Sequence, residues 1–453
     1  MVKGHRRCCG IDVHKEKLAV CVLPPDGKFG QCLEREYGTF TEQILQLKAW
    51  LLKLGVTEVA MESTGVYWRP VWNVLEGAFR LLLANPVQVK ALAGRKSDRR
   101  DARRIAEYLQ DGRLDGSFVP PAAIRHLREL TRDRVSLVEE QTRVSNQIRD
   151  LLETANIKLG NVASDILGKT GRRILEELAG GERDAGRLAE EARGKLRSKR
   201  RELREALRGR FTEGHEFRLK ELLLRLEFLE FRIVVLEEEI RRCMKPYQRQ
   251  LELLDGIPGV NEVVAWTLVA ELGVEMGVFP TGAHCASWAG LCPGENESGG
   301  KKKSARTRRG NRYVRRALVQ AGWAAAREKG SYFQGIFRRL VGRRGLAKSV
   351  VAVAHRLLLI VHAMLRDLEP YRELGADYTA QRYKAQTIRR LTERLAALGQ
   401  RVSLAPREEA AAVGAAVVGA GGEAVTAGAA RSEGKRGRGR PRKVREEGRK
   451  DEE

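Results

Sequence analysis

Residues 7 to 23 read Arg7-Cys8-Cys9-Gly10-Ile11-Asp12-Val13-His14-Lys15-Glu16-Lys17-Leu18-Ala19-Val20-Cys21-Val22-Leu23. Two short apolar runs flank the polar stretch Asp12–Lys17, the pattern of a strand, a turn and a second strand. Helical spacing of apolar residues follows from Thr41 to Leu54, and then Glu58-Val59-Ala60-Met61-Glu62 and Arg80 to Ala84 read as short buried strands. Strands alternating with helices predict an α/β domain over residues 5–118. Asp12, set in an otherwise apolar strand, is the residue there that structure alone accounts for least.

The middle of the chain changes period. Leu127, Leu130, Arg134, Leu137, Gln141, Val144, Ile148 and Leu151 step by alternating threes and fours, and a second such seam runs from Leu219 to Cys243. Heptad seams lined with charges predict coiled-coil helices over residues 119–248, paired either as a hairpin in one protomer or across a dimer. Arg134 and Gln141, polar on the seam, would fix its register. The Arg/Lys/Glu-rich stretch from Gly180 to Arg210 has a weaker pattern and is expected to be mobile. Residues 249–372 read as a mostly helical globular domain. It opens on Gly256-Ile257-Pro258-Gly259-Val260, either a helix-joining turn or the hairpin of a helix-hairpin-helix module that contacts phosphates through backbone N–H groups. A further helix is expected over residues 373–400. Residues 401–453 are Ala/Gly-rich and then charged, the composition of a disordered basic tail.

The 453 residues carry a net charge of +25, with 42% hydrophobic and 32% charged residues. So basic a surface calls for a polyanion, and DNA or RNA fits better than a membrane. The most apolar span, Ser349 to Leu365, is interrupted by His355, Arg356 and His362, and no leader segment is evident, so a cytoplasmic location is expected. The 7 cysteines are scattered without a CxxC pair, which points to reduced thiols rather than a structural zinc site.

Four acids stand at element ends of the first domain: Asp12, Glu62, Asp98 and Asp101. The i, i+3 spacing of Asp98 and Asp101 puts both on one helix face. Converging at one sheet edge, the four would repel one another unless divalent cations held them, and hard oxygen donors favour Mg²⁺ or Mn²⁺. Two such ions about 4 Å apart would activate a nucleophile and stabilise the leaving oxygen of a phosphodiester. Plainer readings exist: Asp98 as a helix-start acid behind Ser97, and Asp101 paired with neighbouring arginines.

A second constellation lies in Glu297-Ser298-Gly299-Gly300-Lys301-Lys302, followed by Arg308 and Arg309 and by Arg315 on the next helix. The glycines would let the backbone approach a phosphate, and the cations would neutralise it. Ser298 is then either a nucleophile or a turn serine in a basic loop. Gly419-Ala420-Gly421-Gly422-Glu423-Ala424 fits a dinucleotide fingerprint only formally, no P-loop is complete, and His5 and His14 lack metal-ligand spacing. In the tail, Arg438 and Arg440 lie in an Arg-Gly-Arg-Pro segment that resembles an AT-hook, which lays arginines into a narrow minor groove.

The strings Gly10-Ile11-Asp12-Val13-His14-Lys15, Met61-Glu62-Ser63-Thr64-Gly65 and Lys96-Ser97-Asp98-Arg99-Arg100-Asp101-Ala102 together resemble the DEDD insertion-sequence transposases of the IS110 family. The likeness covers most of residues 7 to 372. It implies an RNase-H-like, resolvase-like N-terminal fold, with the family's four acids on Asp12, Glu62, Asp98 and Asp101. It also implies a helical C-terminal transposase domain whose catalytic serine falls on Ser298. By the same likeness, the serine forms a phosphoserine link to DNA, a second protomer's acidic domain completes the site, and a structured noncoding RNA pairs with donor and target DNA. A homodimer or homotetramer is therefore expected. A metal-dependent junction nuclease without a covalent intermediate, and a non-catalytic DNA-binding protein, are the alternatives from the residues alone.

Overall fold

The computed structural model describes residues 7–25, 32–62, 65–84, 98–294, 297–298, 301–302, 306–382 and 384–399. The chain divides into two compact units, residues 1–381 and 382–453. The described part of the second unit contains a helix, Lys384–Ala397; the tail from residue 401, with Arg438 and Arg440, lies outside the described residues.

Five strands open the first unit: β1 (Cys8–Val13), β2 (Lys17–Leu23), β3 (Leu33–Gly38), β4 (Glu58–Glu62) and β5 (Arg80–Ala84). Their order in the sheet is β3-β2-β1-β4-β5, with β1 to β3 an antiparallel meander and β4 and β5 parallel to β1. This mixed sheet is compatible with an RNase-H-like α/β domain. The sequence pattern anticipates every strand but β3. Its Glu34, Arg35 and Glu36 are exposed on the sheet's rim, where charges protect a free edge and disguise the strand as a loop.

Alternation gives the sheet two different faces. Cys9, Ile11, Val13, Val59 and Met61 pack with α1 (Thr41–Lys53) and α2 (Trp68–Leu75). The other face carries Cys8, Gly10, Asp12 and Ala60, and α3 (Asp98–Gln110) covers it with Ala102, Ile105, Ala106 and Leu109. These recur at i, i+3, i+4 and i+7, one stripe of a helix. Gly10 allows the helix down onto the strand. A Cβ there would stand 2.2 Å from the carbonyl oxygen of Ala102 and 2.4 Å from the amide nitrogen of Ala106.

The remainder is helical. α4 (Ala122–Thr154), α5 (Lys169–Ala179) and α6 (Glu213–Met244) follow, and the two heptad seams meet within the chain as an antiparallel hairpin. Thr154 meets His215 at one end, Arg134 pairs with Glu237 at 2.6 Å, and Leu127 shares a core with Ile240 and Met244 at the other. The segment from Gly180 to Arg210 is folded, contrary to expectation. Helices Ala185–Glu190 and Arg200–Ala206 bury Leu188 and Leu203, and Leu207 follows the second, beneath α5 and the hairpin. Its sparse apolar residues lack a heptad because they serve a small tip core.

A second large core gathers α7 (Glu262–Leu272), α8 (Arg312–Arg327), α9 (Tyr332–Arg344) and α10 (Leu346–Asp367), together with Ile124 and Leu127 of α4. By length and composition alone α10 could cross a membrane. Val350, Val353, Ala354, Leu357 and Val361 are instead buried at the centre of this bundle. The Gly256–Val260 segment is a helix-joining turn. The amides of Gly256 and Ile257 donate to the Leu254 carbonyl, that of Val260 donates to the Ile257 carbonyl, and a Cβ on Gly259, at φ +82°, would stand 2.4 Å from the Ala321 carbonyl oxygen.

Glu271 of α7 is wholly buried and ties these parts together. Arg132 grips it with bonds of 2.7 and 2.9 Å, Arg128 stands 3.4 Å away, and the Asn311 amide donates at 2.6 Å. Burial pushes the Arg128 guanidinium down to about 10, which Glu271 opposes. Removing one member of a buried ion group leaves its partners uncompensated, so Glu271→Ala should cost about 3–5 kcal/mol in urea unfolding, and Glu271→Gln less. Gly10→Val should lower stability by about 1–3 kcal/mol or more, because backbone rather than a flexible side chain must move. A thermal midpoint unchanged by Gly10→Val would contradict the contact with α3.

Candidate active site

The register Gly10↔Ala60 and Ile11↔Met61 brings Asp12 abreast of Glu62, the last residue of β4. Alternation turns both toward the face that α3 covers. Asp101 lies in the first turn of α3, next to Ala102, whose carbonyl abuts Gly10. One close backbone contact thus sets the helix-borne acid over the two strand-borne ones. Asp98 begins the same helix one turn earlier; its side chain lies outside the described residues.

Asp12 is 8% exposed. Burial raises its carboxyl above the usual carboxylate range. His14, with Nε2 3.0 Å from Oδ2, pulls it back, and the nearby Asp101 and Glu62 push it up again. A carboxylate with a raised pKa stabilises the fold only while protonated. That contribution is full below the ordinary carboxylate pKa and is lost as pH rises through the raised value. The charged form of Asp12 is therefore held at a cost, which a cation would offset. The donors are carboxylate oxygens, the type that Mg²⁺ and Mn²⁺ take. Arg104, 3.6 Å from Asp101, supplies part of the counter-charge, as the plainer reading of Asp101 expects.

His14 has a place here despite lacking a ligand spacing in the sequence, because the end of β1 folds it back onto Asp12. Elsewhere, His126, Glu239 and Cys243 bring ligand-type atoms within 4.8 Å of one another. Arg242 already holds both oxygens of Glu239, at 2.7 and 2.5 Å.

The basic segment is a hairpin. Pro293 bridges Thr307, the Gly294 amide donates to the Arg306 carbonyl at 2.8 Å, and β6 (Glu297–Ser298) pairs with β7 (Lys301–Lys302). Ser298 opposes Lys301, next to the hairpin's end; Gly299, Gly300 and the side chains of Ser298, Lys301 and Lys302 lie outside the described residues. At the foot, Gly290 and Gly310 cross so closely that a Cβ on Gly310 would stand 2.2 Å from the Gly290 amide nitrogen. Asn311 then caps α8, accepting from the amides of Tyr313 and Val314, and passes its own NH₂ to Glu271. Arg132 stacks over Tyr313 at 4.6 Å. Arg308 and Arg309 are exposed at the hairpin's foot, and Arg315 is half-buried on α8. Glu271 and Asn311 escape sequence reading, since a glutamate inside an apolar helix and an asparagine after a glycine carry no mark of meeting. The hairpin's glycine crossing could be suspected from Gly290 and Gly310 but not paired.

Residues 9–157 match a DEDD transposase family of the IS110 type, and residues 251–337 match the family described as Transposase IS116/IS110/IS902. The chain is 26% identical over 373 residues to the transposase for insertion sequence element IS1111A of Coxiella burnetii, covering 80% of this chain and 90% of that one. It is 26% identical over 338 residues to a probable family 20 transposase of Pseudomonas aeruginosa, covering 72% and 89%. An insertion element IS116 protein of Streptomyces clavuligerus is 26% identical over 299 residues, covering 60% of this chain and 71% of its own. The first match spans the sheet with its acids and the second spans the helical core with the basic hairpin, and on both grounds the chain belongs to the IS110-type insertion-sequence transposases and is a DNA transposase.

Proposed function

We propose that this transposase cuts and rejoins DNA by divalent-metal-dependent phosphodiester transfer, with Ser298 as nucleophile and Asp12, Glu62, Asp98 and Asp101 holding Mg²⁺ or Mn²⁺. The observation that carries the metal half is the burial of Asp12 among like charges on the face that α3 covers. The bound ion would polarise a phosphate oxygen and ease loss of the serine proton. Ser298 Oγ attacks phosphorus, a phosphorus–oxygen bond to one sugar breaks, and that sugar leaves as a free hydroxyl. The phosphoserine is later attacked by a hydroxyl of the new partner strand, which restores Ser298. His14 orients Asp12, and Glu271 with Asn311 fixes the hairpin's foot.

Gly299, Gly300, Lys301, Lys302, Arg308, Arg309 and Arg315 would hold phosphates, which positions DNA without reading its sequence. Arg438 and Arg440 would add minor-groove contacts in A·T-rich DNA. Choice of sequence is assigned to a noncoding RNA that pairs with donor and target, and the net charge of +25 suits two polyanions. In this reading residues 5–118 hold metal, residues 119–248 space the two ends, and residues 249–372 deliver the serine. The protein works in the cytoplasm as a homodimer or homotetramer.

Two measurements test this. Mg²⁺ at ten times its Kd should stabilise the protein by about 1.4 kcal/mol, a rise in thermal midpoint that Asp12→Asn removes. Without the ion, the same variant should be at least as stable as the parent, and a less stable Asp12→Asn would argue against an unfavourably held charge. Incubation with element-end DNA, flanking transcript and Mg²⁺ should give a denaturant-resistant protein–DNA adduct that Ser298→Ala and Asp12→Ala both abolish. Cleavage without an adduct, indifferent to Ser298→Ala, would replace the serine mechanism with that of a metal nuclease.

A further inference from the structure

The base of the α4–α6 hairpin carries three groups that the chemistry above does not use. His126 lies in the second turn of α4, and Glu239 and Cys243 lie at i, i+4 on one face near the end of α6. The residue after each belongs to the core: Leu127, Ile240 and Met244 are buried together where the two helices pack. That packing fixes the backbone beneath the three polar side chains, which stand just outside it, His126 exposed and the other two half-buried. One ligand-type atom from each lies within 4.8 Å of the other two. The Cys243 thiol donates to Glu239 Oε1 at 3.5 Å, and two donors on one tetrahedral zinc stand roughly 3.5 Å apart. The His126 ring has to come nearer by about 1 Å, a small rotation for an exposed side chain.

We infer that His126, Glu239 and Cys243 form a zinc site, open to water at its fourth position, that clasps the start of α4 to the end of α6. The donor set decides the metal. Imidazole nitrogen, thiolate sulfur and carboxylate oxygen together suit Zn²⁺, whereas Mg²⁺ takes oxygen. Arg242 is the group that the ion displaces, with Nε and Nη2 at 2.7 and 2.5 Å from the two Glu239 oxygens. It holds the Glu239 carboxyl down at about 2, which keeps that donor anionic. The Arg242 side chain is 66% exposed, and an ion pair so exposed competes weakly with a metal. Burial and the Glu239 carboxylate push the Cys243 thiol up, so it gives its proton to water as the ion binds. Motif spacing misses the site because His126 reaches it from another helix. Zinc there would brace α4 beside Arg128 and Arg132, the two residues that reach Glu271. The site shares no residue with the acids or with Ser298, so it stands or falls apart from the chemistry proposed above.

Co²⁺ reports such a site through a sulfur-to-metal charge-transfer absorption, which oxygen ligands do not give. The full chain, stripped with EDTA and kept in excess Mg²⁺, should develop that absorption on titration with Co²⁺ and lose it to Zn²⁺. Outer-shell partners alone carry about 10- to 100-fold in metal affinity, so His126→Ala should weaken Zn²⁺ binding at least about a hundredfold. Cys243→Ser should abolish the absorption. Arg242→Ala should tighten binding by up to about fivefold, the worth of the exposed ion pair it removes. Should Cys243→Ser lose its helical circular dichroism spectrum, the exposed His126→Ala decides. A parent chain without the absorption, or a Zn²⁺ affinity indifferent to His126→Ala, would overturn the inference. So would an absorption that survives Cys243→Ser and vanishes with Cys32→Ser, which would place the metal at Cys21, Cys32 and Glu34 instead.

Discussion

The acidic site depends on a missing side chain. Gly10 lets the backbone of α3 rest against β1, and everything about the acids follows from that approach. A helix on an ordinary strand stands off by the thickness of a side chain. Here Ala102 and Ala106 meet Gly10 directly, and Asp101 comes down over the strand ends that carry Asp12 and Glu62. The fold thereby forces like charges together, against their own electrostatics, where helix and strand backbones meet directly. Stability of the sheet is what holds the repulsion in check.

A second constraint works in the opposite sense in the helical core. Glu271 is buried but well compensated, with Arg132 bidentate and Asn311 completing its bonds. Buried ion groups seldom add net stability over apolar packing, but they penalise misplacement heavily. Here the group joins three elements far apart in sequence: α4, α7 and the start of α8. The hairpin that bears Ser298 is thus founded on a charged lock rather than on a greasy contact that could slide.

Much of the fold is legible in the chain. The apolar runs around Asp12 announce two strands, and the seams of α4 and α6 announce their helices. Arg134 on the seam does pair across it, with Glu237. What stays hidden is whatever depends on pairing. The seams alone cannot say whether they meet each other, β3 hides behind its rim charges, and the short helices between residues 185 and 206 bury single leucines without a repeat. For the site, the motifs around Asp12, Glu62 and Asp101 point to the residues, but Gly10 explains their convergence only once α3 is seen lying on it. His14 and Glu271 offer no spacing to read, since each acquires its meaning from a partner that folding supplies.

The hairpin of α4 and α6 also sets a length scale. At about 1.5 Å per residue, the 33 residues of α4 span roughly 50 Å. The small core around Leu188 and Leu203 sits at one end of that rod, and the large core around Leu127 sits at the other. Along B-form DNA, at about 3.4 Å per base pair, the rod measures some fifteen base pairs, or one and a half helical turns.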